Sequence, residues 1–403
     1  MHQSISMYTT YLLKWSLCSS ILLLIACSHS QTSSTLNDDE DAGQTILDSL
    51  GIDHEVAVNP EYRFQMVASS VKEGAVTKTI SYGTDQYYYP ASLVKIPAML
   101  VLLEVLEEKS IPLDAVPLFD TINACGSTKF VTLSQKNRVS FRQMLTELIV
   151  ASDNNFYNAI YHFVTPEELN NRLKELGFSG THIYRAFTGC DVADHLNTYP
   201  YKVFGANGAL LLESGGATLS KEVLSEAYDD SEERLLGSRH ENEEGDIVDG
   251  PYDLNSHIEI PLNEMHQMML RFLYPQEFEI SQRWNISDSN QSFAINLMGL
   301  YPSEIKSVYR NLNHLTDDVY KYVKNSNTPN ARTIGKLGLS YGFASESVYV
   351  PIDDKSEGIL ITYSVYVNEN DVVNDGEYEY EDVARPFANE LLEKLMKWHL
   401  NED

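Results

Sequence analysis

The segment 93–106, Leu-Val-Lys-Ile-Pro-Ala-Met-Leu-Val-Leu-Leu-Glu-Val-Leu, limits what this chain can fold into more than any other. Apolar positions recur at helical spacing from 92 to 109, and Ile111-Pro112 ends the run. Between Met99 and Leu106 only Glu104 is charged, so the helix has almost no polar face to offer water. Such a helix belongs at the centre of a folded body, and the rest of the chain must supply its wrapping.

Two β-rich ends around a helical middle can do that. Residues 63–69 and 76–82 have the β-branched and aromatic content of strands, and so do 345–350 and 358–367. Helical patterns begin at 45 and cover 139–164 on both sides of Ala151, then 165–176, 262–273, 291–300, 316–324 and 382–400. The 165–176 helix carries the fullest signals: Thr165 as N-cap, Pro166 in the first turn, Glu168 to complete a capping box and Gly177 after the end. Strands at both ends with helices between predict an α/β (α+β) fold of two lobes. An antiparallel sheet from both chain ends, packed by helices, would stand beside an all-helical lobe. No repeat of fixed period is visible.

Ahead of this body, residues 12–26 are mostly apolar, and Lys14 is the only charge among the first 30 residues. The apolar stretch 17–26 is shorter than the roughly 20 residues a spanning helix needs. It ends Leu24-Ile25-Ala26-Cys27 with polar Ser28 next, which resembles a bacterial lipobox. That resemblance implies a leader, 1–26, cut before Cys27, and a lipid on the new N-terminal Cys27; an ordinary secretory signal cut nearby is the alternative. Residues 27–44, rich in Ser, Thr, Asn and Asp, then read as a flexible tether, and 45–403 as the folded domain. The expectation is an exported protein anchored to a bacterial membrane, facing the periplasm, with inner or outer membrane and oligomeric state left open.

Cys18 leaves with the leader, so Cys125 and Cys190 remain, either as a disulfide in an oxidising compartment or as two buried thiols. The 29 basic against 58 acidic side chains give a net charge of −29, which argues against DNA or RNA, because phosphate binding needs a basic field. Much of the acidity gathers in an apparent insertion, 213–256, densest over 228–253. It reads as a solvated segment, with a cation or partner site as the alternative.

Chemistry concentrates in three places. Ser92-Leu93-Val94-Lys95 opens the apolar helix, and residues three apart share a helix face, so Lys95 can reach the Ser92 hydroxyl. A lysine serves as base only when neutral, which burial or a second nearby cation promotes. Ser152-Asp153-Asn154 lies in the break between Ile149-Val150 and Phe156-Tyr157. A hydroxyl there can relay a proton and an Asn amide can bind a carbonyl, but all three residue types also suit a helix N-cap. Lys336-Leu337-Gly338 leads into a strand, where a cation would attract an anionic ligand and Gly would let it approach the backbone. An ordinary charged residue near a turn explains it equally well.

Together and in this order the three match the S-x-x-K, S-D-N and K-T-G set. Over roughly residues 45–400 the chain resembles class A β-lactamases and penicillin-binding proteins, and the first two motifs match fully. The resemblance implies an acyl-enzyme serine hydrolase acting on a small-molecule β-lactam or a cell-wall peptide, without a cofactor. It implies Ser92 as the acylated nucleophile, Lys95 as its base and Ser152 as proton donor to the leaving nitrogen. Asn154 would hold the substrate amide, and Lys336 would attract the carboxylate. The N–H groups of Ser92 and Leu339 would form the oxyanion hole, with Gly338 and Ser340 beside them.

Two positions depart from the pattern. Leu337 stands where the third motif has Thr or Ser, and Ser340 is the candidate substitute for that hydroxyl. In the window where class A enzymes carry the Glu that activates the deacylating water, this chain reads Ala186-Phe187-Thr188-Gly189-Cys190-Asp191-Val192-Ala193-Asp194. Asp191 is the candidate base, Asp194 a second, while Glu167 and Glu168 come too early and fit a helix start. A D,D-peptidase or esterase acting on cell-wall peptides therefore stays open, favoured by the missing Glu. So does an inactive ligand-binding member, favoured by Leu337. The 11 histidines show no metal-ligand spacing, so no metal is expected. Asp194-His195 reads as a surface or capped pair rather than a triad fragment, and Tyr87 to Tyr89 as sheet or core packing at the mouth of the site, with stacking on a ligand as the alternative.

Overall fold

The chain enters through helix α1 (Glu40–Leu50) and lays down the hairpin β1 (Gln65–Lys72) and β2 (Ala75–Tyr82) before the central helix α2 (Lys95–Glu108). The computed structural model describes residues 40–119, 138–188, 192–228, 230–307, 312, 320–324, 332–352 and 356–400. All of them fall in the unit Asn37–Asp403. Every residue of α2 from Lys95 to Leu106 is buried, as its all-round apolar surface requires. Strand β3 (Val116–Phe119) follows, then the helices α3 (Phe141–Val150), α4 (Asn154–Val164) and α5 (Pro166–Glu175), all three packed against α2.

After β4 (Tyr201–Phe204) and β5 (Leu210–Ser214) come α6 (Leu262–Leu273) and α7 (Asp288–Gly299). The chain then returns to the main sheet as β6 (Ile334–Ser340), β7 (Phe343–Pro351) and β8 (Gly358–Tyr366), and closes with α8 (Arg385–Leu400). The main sheet has the order β6-β7-β8-β1-β2, antiparallel throughout, so both chain ends do build it. Its two faces bury different layers. Ile334, Phe343, Tyr349 and Leu360 pack toward the helical lobe, with Met265 and Met269 of α6. Leu337, Val348, Ile361 and Tyr363 pack under Leu47 of α1 and Phe387, Leu391 and Leu395 of α8.

Three expectations need correction. The lobe is not all-helical, because β3, β4 and β5 form an antiparallel sheet in it. The helix expected over 316–324 is not present at 320–324, and the rest of that span lies outside the described residues. The 213–256 insertion is more than a solvated run. It carries short strands and a helical segment Glu222–Ala227, buries Arg234, Leu236 and Leu254, and stacks Tyr252 on Tyr341 with ring centroids 4.9 Å apart. Tyr87 to Tyr89 are core packing outside any strand. Cys125 and Cys190 lie outside the described residues.

Candidate active site

Ser92 sits in the 3-10 turn Ala91–Val94 that runs directly into α2. Ala91, just before it, has φ 46°, a left-handed backbone uncommon for a residue with a Cβ and the sort of local strain that functional sites keep. The turn leaves Ser92 partly exposed, while Lys95, one helical step on, is fully buried. Their side chains meet: Lys95 Nζ lies 2.9 Å from Ser92 Oγ.

The break between α3 and α4 brings the second motif to the same point. Ser152 has φ 51°, again left-handed, which turns the chain sharply between the two helices. Asp153 takes the N-cap role, its Oδ1 accepting from the backbone N–H of Asn155 at 2.8 Å and of Phe156 at 3.1 Å. That leaves its neighbours to the site. Ser152 Oγ donates to Ser92 Oγ at 3.0 Å, and Lys95 Nζ donates to Ser152 Oγ at 3.1 Å, Ser152 O at 2.7 Å and Asn154 Oδ1 at 2.7 Å. The cap reading and the site reading are thus both right, for different residues of one tripeptide.

The third motif arrives on β6, the edge strand of the sheet. Lys336 Nζ donates to Ser152 Oγ at 3.0 Å and to Leu337 O at 2.9 Å. Burial of this side chain pushes its pKa down to about 7. Glu346, buried one strand over, opposes the shift and Lys321 adds to it. Glu346 itself accepts from Tyr322 N, Val323 N and Tyr363 Oη, and burial raises its pKa to about 7.

Gly338 touches the nucleophile's turn: a Cβ there would lie 2.6 Å from Pro90 O and 2.9 Å from Ser92 N. The β6–β7 hairpin closes at Ser340↔Phe343 around Tyr341 and Gly342, both with positive φ. In a two-residue hairpin the flanking pair exchanges hydrogen bonds and the next pair does not. The N–H of Leu339 therefore points away from β7 along the open edge. Alternation along β6 puts Lys336, Gly338 and Ser340 on one face. Leu337 faces the other way, into the apolar layer with Ala344 and Val348.

The deacylation candidates fare differently. Asp191 lies outside the described residues; Asp194 is exposed. Glu167 is on the first turn of α5, where Glu168 is instead held by Arg172, its N–H bound to the Thr165 cap. His195 is buried rather than superficial, with Nδ1 accepting from Ala186 N at 3.2 Å and its carbonyl from Tyr161 Oη at 2.9 Å. Among the described residues of this loop, Phe187 meets Lys95, with its ring centroid 5.4 Å from Nζ. Asn158 holds it there, accepting from Phe187 N at 2.7 Å and donating to Phe187 O at 3.0 Å. Neither residue stood out in the sequence, although Asn158 lies four residues after Asn154, on the same helix face. Among the described residues, no group of three or more His, Cys, Asp or Glu could hold a metal.

A serine hydroxyl, a buried amine beside it, a second hydroxyl and a second lysine on an edge strand thus come together at one point. Residues 52–208 match the sequence model of the Beta-lactamase enzyme family. Among solved structures, a β-lactamase from Burkholderia vietnamiensis superposes with TM-score 0.53 at 12% identity, covering 89% of this chain and 97% of its own. One from Streptosporangium roseum gives 0.51 at 14%, covering 88% and 100%. A representative of class A β-lactamase from Bacteroides cellulosilyticus gives 0.50 at 13%, covering 89% and 97%. At such identities the likeness carries the fold alone. No curated protein matches the chain in sequence. Residues 52–208 thus resemble the Beta-lactamase enzyme family in sequence, and the chain shares the fold of these solved β-lactamases.

Proposed function

We propose that the chain is an acyl-enzyme serine hydrolase in which Ser92 attacks the carbonyl of a β-lactam or a related amide. The observation that carries this reading is the closed set of hydrogen bonds joining Ser92 Oγ, Lys95 Nζ, Ser152 Oγ and Lys336 Nζ. Ser92 Oγ bonds to the acyl carbon while its proton passes to an unprotonated Lys95 Nζ. The negative charge that forms on the carbonyl oxygen is met by the N–H groups of Ser92 and Leu339, donors of a kind worth about 3 kcal/mol each. The C–N bond then breaks as Ser152 Oγ delivers its proton to the leaving nitrogen, and Ser152 is reprotonated from Lys95. Asn154 and Ser340 are the substrate-side polar groups, and Lys336 attracts a substrate carboxylate.

A second reading, a peptidase or esterase of cell-wall peptides, is favoured by the exposure of Asp194 and Glu167 and by the ion pair that ties Glu168 to Arg172. Intact-mass measurement after mixing with benzylpenicillin tests the shared first step. A single adduct on the wild type that is lost in Ser92→Ala is expected, and no adduct on the wild type would overturn the proposal. Turnover of a chromogenic cephalosporin separates the two readings, being rapid for a lactamase and negligible for a peptidase. The lipobox-like sequence supports export and a lipid anchor on Cys27. Radiolabelled palmitate should mark the wild type and not Cys27→Ala, and an unlabelled wild type would refute the anchor.

A further inference from the structure

We propose that the insertion 213–256 is a specificity element: its Tyr252, stacked on Tyr341 at the end of β6, builds an aromatic wall that receives an aryl group on the acyl side of the substrate. The proposal rests on the acyl-enzyme reading above and adds a class of substrate to it. The carbon that Ser92 Oγ attacks carries two substituents, the leaving nitrogen and a carbon chain. On that reading its oxygen lies between the N–H groups of Ser92 and Leu339. The nitrogen side carries the carboxylate toward Lys336, three residues back along β6. The two substituents of a carbonyl carbon diverge, so the carbon side runs the other way, past Ser340 toward Tyr341.

What the chain places there is a group of rings. Tyr341 sits in the turn of the β6–β7 hairpin, with φ 52°. Tyr89, three residues before Ser92, is 5.1 Å from it between ring centroids, at 60°. Tyr252 is 4.9 Å away and stacked at 30°, with its Oη donating to Tyr341 Oη at 3.4 Å. His257, just beyond the insertion, is 5.9 Å away and edge-on at 87°. Tyr89 and His257 are buried, whereas Tyr252 and Tyr341 keep part of their surface exposed. Burial pushes the pKa of His257 down to about 3, so its ring is uncharged at neutral pH. Ring faces left partly open favour an aryl partner, which gains from offset or edge-on packing beyond the area it buries.

The insertion holds its side of the wall firmly. Leu236 pairs with Tyr252 across a short antiparallel ladder, and Leu236 and Leu254 are both buried in the core. His240, with Nδ1 2.9 Å from Gly250 O, sets its ring 5.6 Å from that of Tyr252. Arg239 and His240 pair in turn with Val372 and Val373, which ties the insertion to the chain after β8 as well as to the hairpin. Tyr252 is therefore a positioning residue, and Tyr341 is the ring placed to touch the ligand.

The test compares two penicillins that differ only in the side chain, phenylacetyl in benzylpenicillin and hexanoyl in the other, by timed intact mass of the Ser92 adduct. The side chain is remote from the lactam bond, so the ratio of their acylation rates reads recognition rather than reactivity. The wild type should favour phenylacetyl about 10-fold, the upper scale of a single aromatic contact. Tyr341→Ala and Tyr252→Ala should bring the two rates close to equality. Tyr252→Phe, which keeps the stack, should retain the preference; Tyr252→Leu, which keeps apolar bulk without a ring, should lose it. A general loss of structure would slow both penicillins together and leave their ratio unchanged. Equal rates in the wild type, or a preference that survives in either Tyr341→Ala or Tyr252→Leu, would overturn this proposal alone. An absence of any Ser92-dependent adduct with either penicillin would overturn it together with the acyl-enzyme reading.

Discussion

Substituting Gly338 by Ala asks whether the edge strand and the nucleophile's turn are one rigid unit. The added Cβ would lie 2.6 Å from Pro90 O, 2.9 Å from Ser92 N and 3.0 Å from Leu93 N. All three are backbone atoms, so no side-chain rotation relieves the contact. Bringing Pro90 O out to ordinary van der Waals contact, which begins at 3.4 Å, requires β6 and the turn to part by about 0.8 Å. The same movement lengthens the 3.0 Å bond from Lys336 Nζ to Ser152 Oγ and separates the N–H groups of Ser92 and Leu339. Misplacement on the order of 1 Å costs about 10²-fold in rate, and overpacking of a closed contact costs about 1–3 kcal/mol of stability. Gly338→Ala should therefore acylate with benzylpenicillin about 10²-fold more slowly by timed intact mass, with a Tm lower by a few degrees. Acylation at the wild-type rate, with or without a lower Tm, would refute the idea that this close approach sets the geometry of Ser92.

The remaining predictions concern the neighbours of that contact. Lys336 has a pKa lowered to about 7 by burial, so its charge is present below that pH and lost above it. Affinity of the free enzyme for a carboxylate-bearing substrate should fall as pH rises through about 7, while Lys336→Arg, which stays charged, should remove that pH dependence. A flat wild-type profile would exclude this role. Asp153→Ala strips the cap from the N–H groups of Asn155 and Phe156 and should cost about 1 kcal/mol in denaturant melts; an unchanged midpoint would contradict it. Ser152→Ala removes the proton donor and should slow acylation about 10²-fold or more, with little change in Tm if Lys95 keeps its bond to Ser152 O. Wild-type acylation by this variant would eliminate the proton-relay role.

What was legible in the chain follows from the strength of each physical constraint. The run 92–109 had one possible place, since a helix without a polar face is stable only where nothing is wet, and α2 is buried from Lys95 to Leu106. The strands of the main sheet are eight or nine residues long apart from β6, enough for composition to show. The sheet of β3, β4 and β5 was not visible, because its strands have four or five residues and Pro117 stands inside the first. At 320–324 the apolar residues pack individually: Tyr322 N and Val323 N bind the Glu346 carboxylate, a tertiary demand that overrides the local helical spacing. Phe187 escaped notice because its position depends on Asn158 and Tyr157, which touch it across 29 and 30 residues of sequence.

The two departures from the motif pattern consequently differ in weight. Leu337 counted toward an inactive protein only if its side chain stands where a substrate-gripping hydroxyl is needed. The register Leu337↔Glu346, with Lys336↔Ser347 beside it, puts Leu337 on the sheet face that packs against α1 and α8. There Leu337 packs with Ala344 and Val348, so its departure from the motif does not alter the face that carries Lys336 and Gly338. Ser340, in step with Lys336 and Gly338, is the hydroxyl the strand presents on the site's own face. Period-two alternation was available in the sequence and would have separated 337 from 336, 338 and 340 once β6 was recognised. At 186–188 the described residues place a ring beside Lys95, held there by α4. On the acyl-enzyme proposal the groups that form the ester are those joined by hydrogen bonds around Ser92, and the lifetime of that ester is the measurement that separates a lactamase from a peptidase.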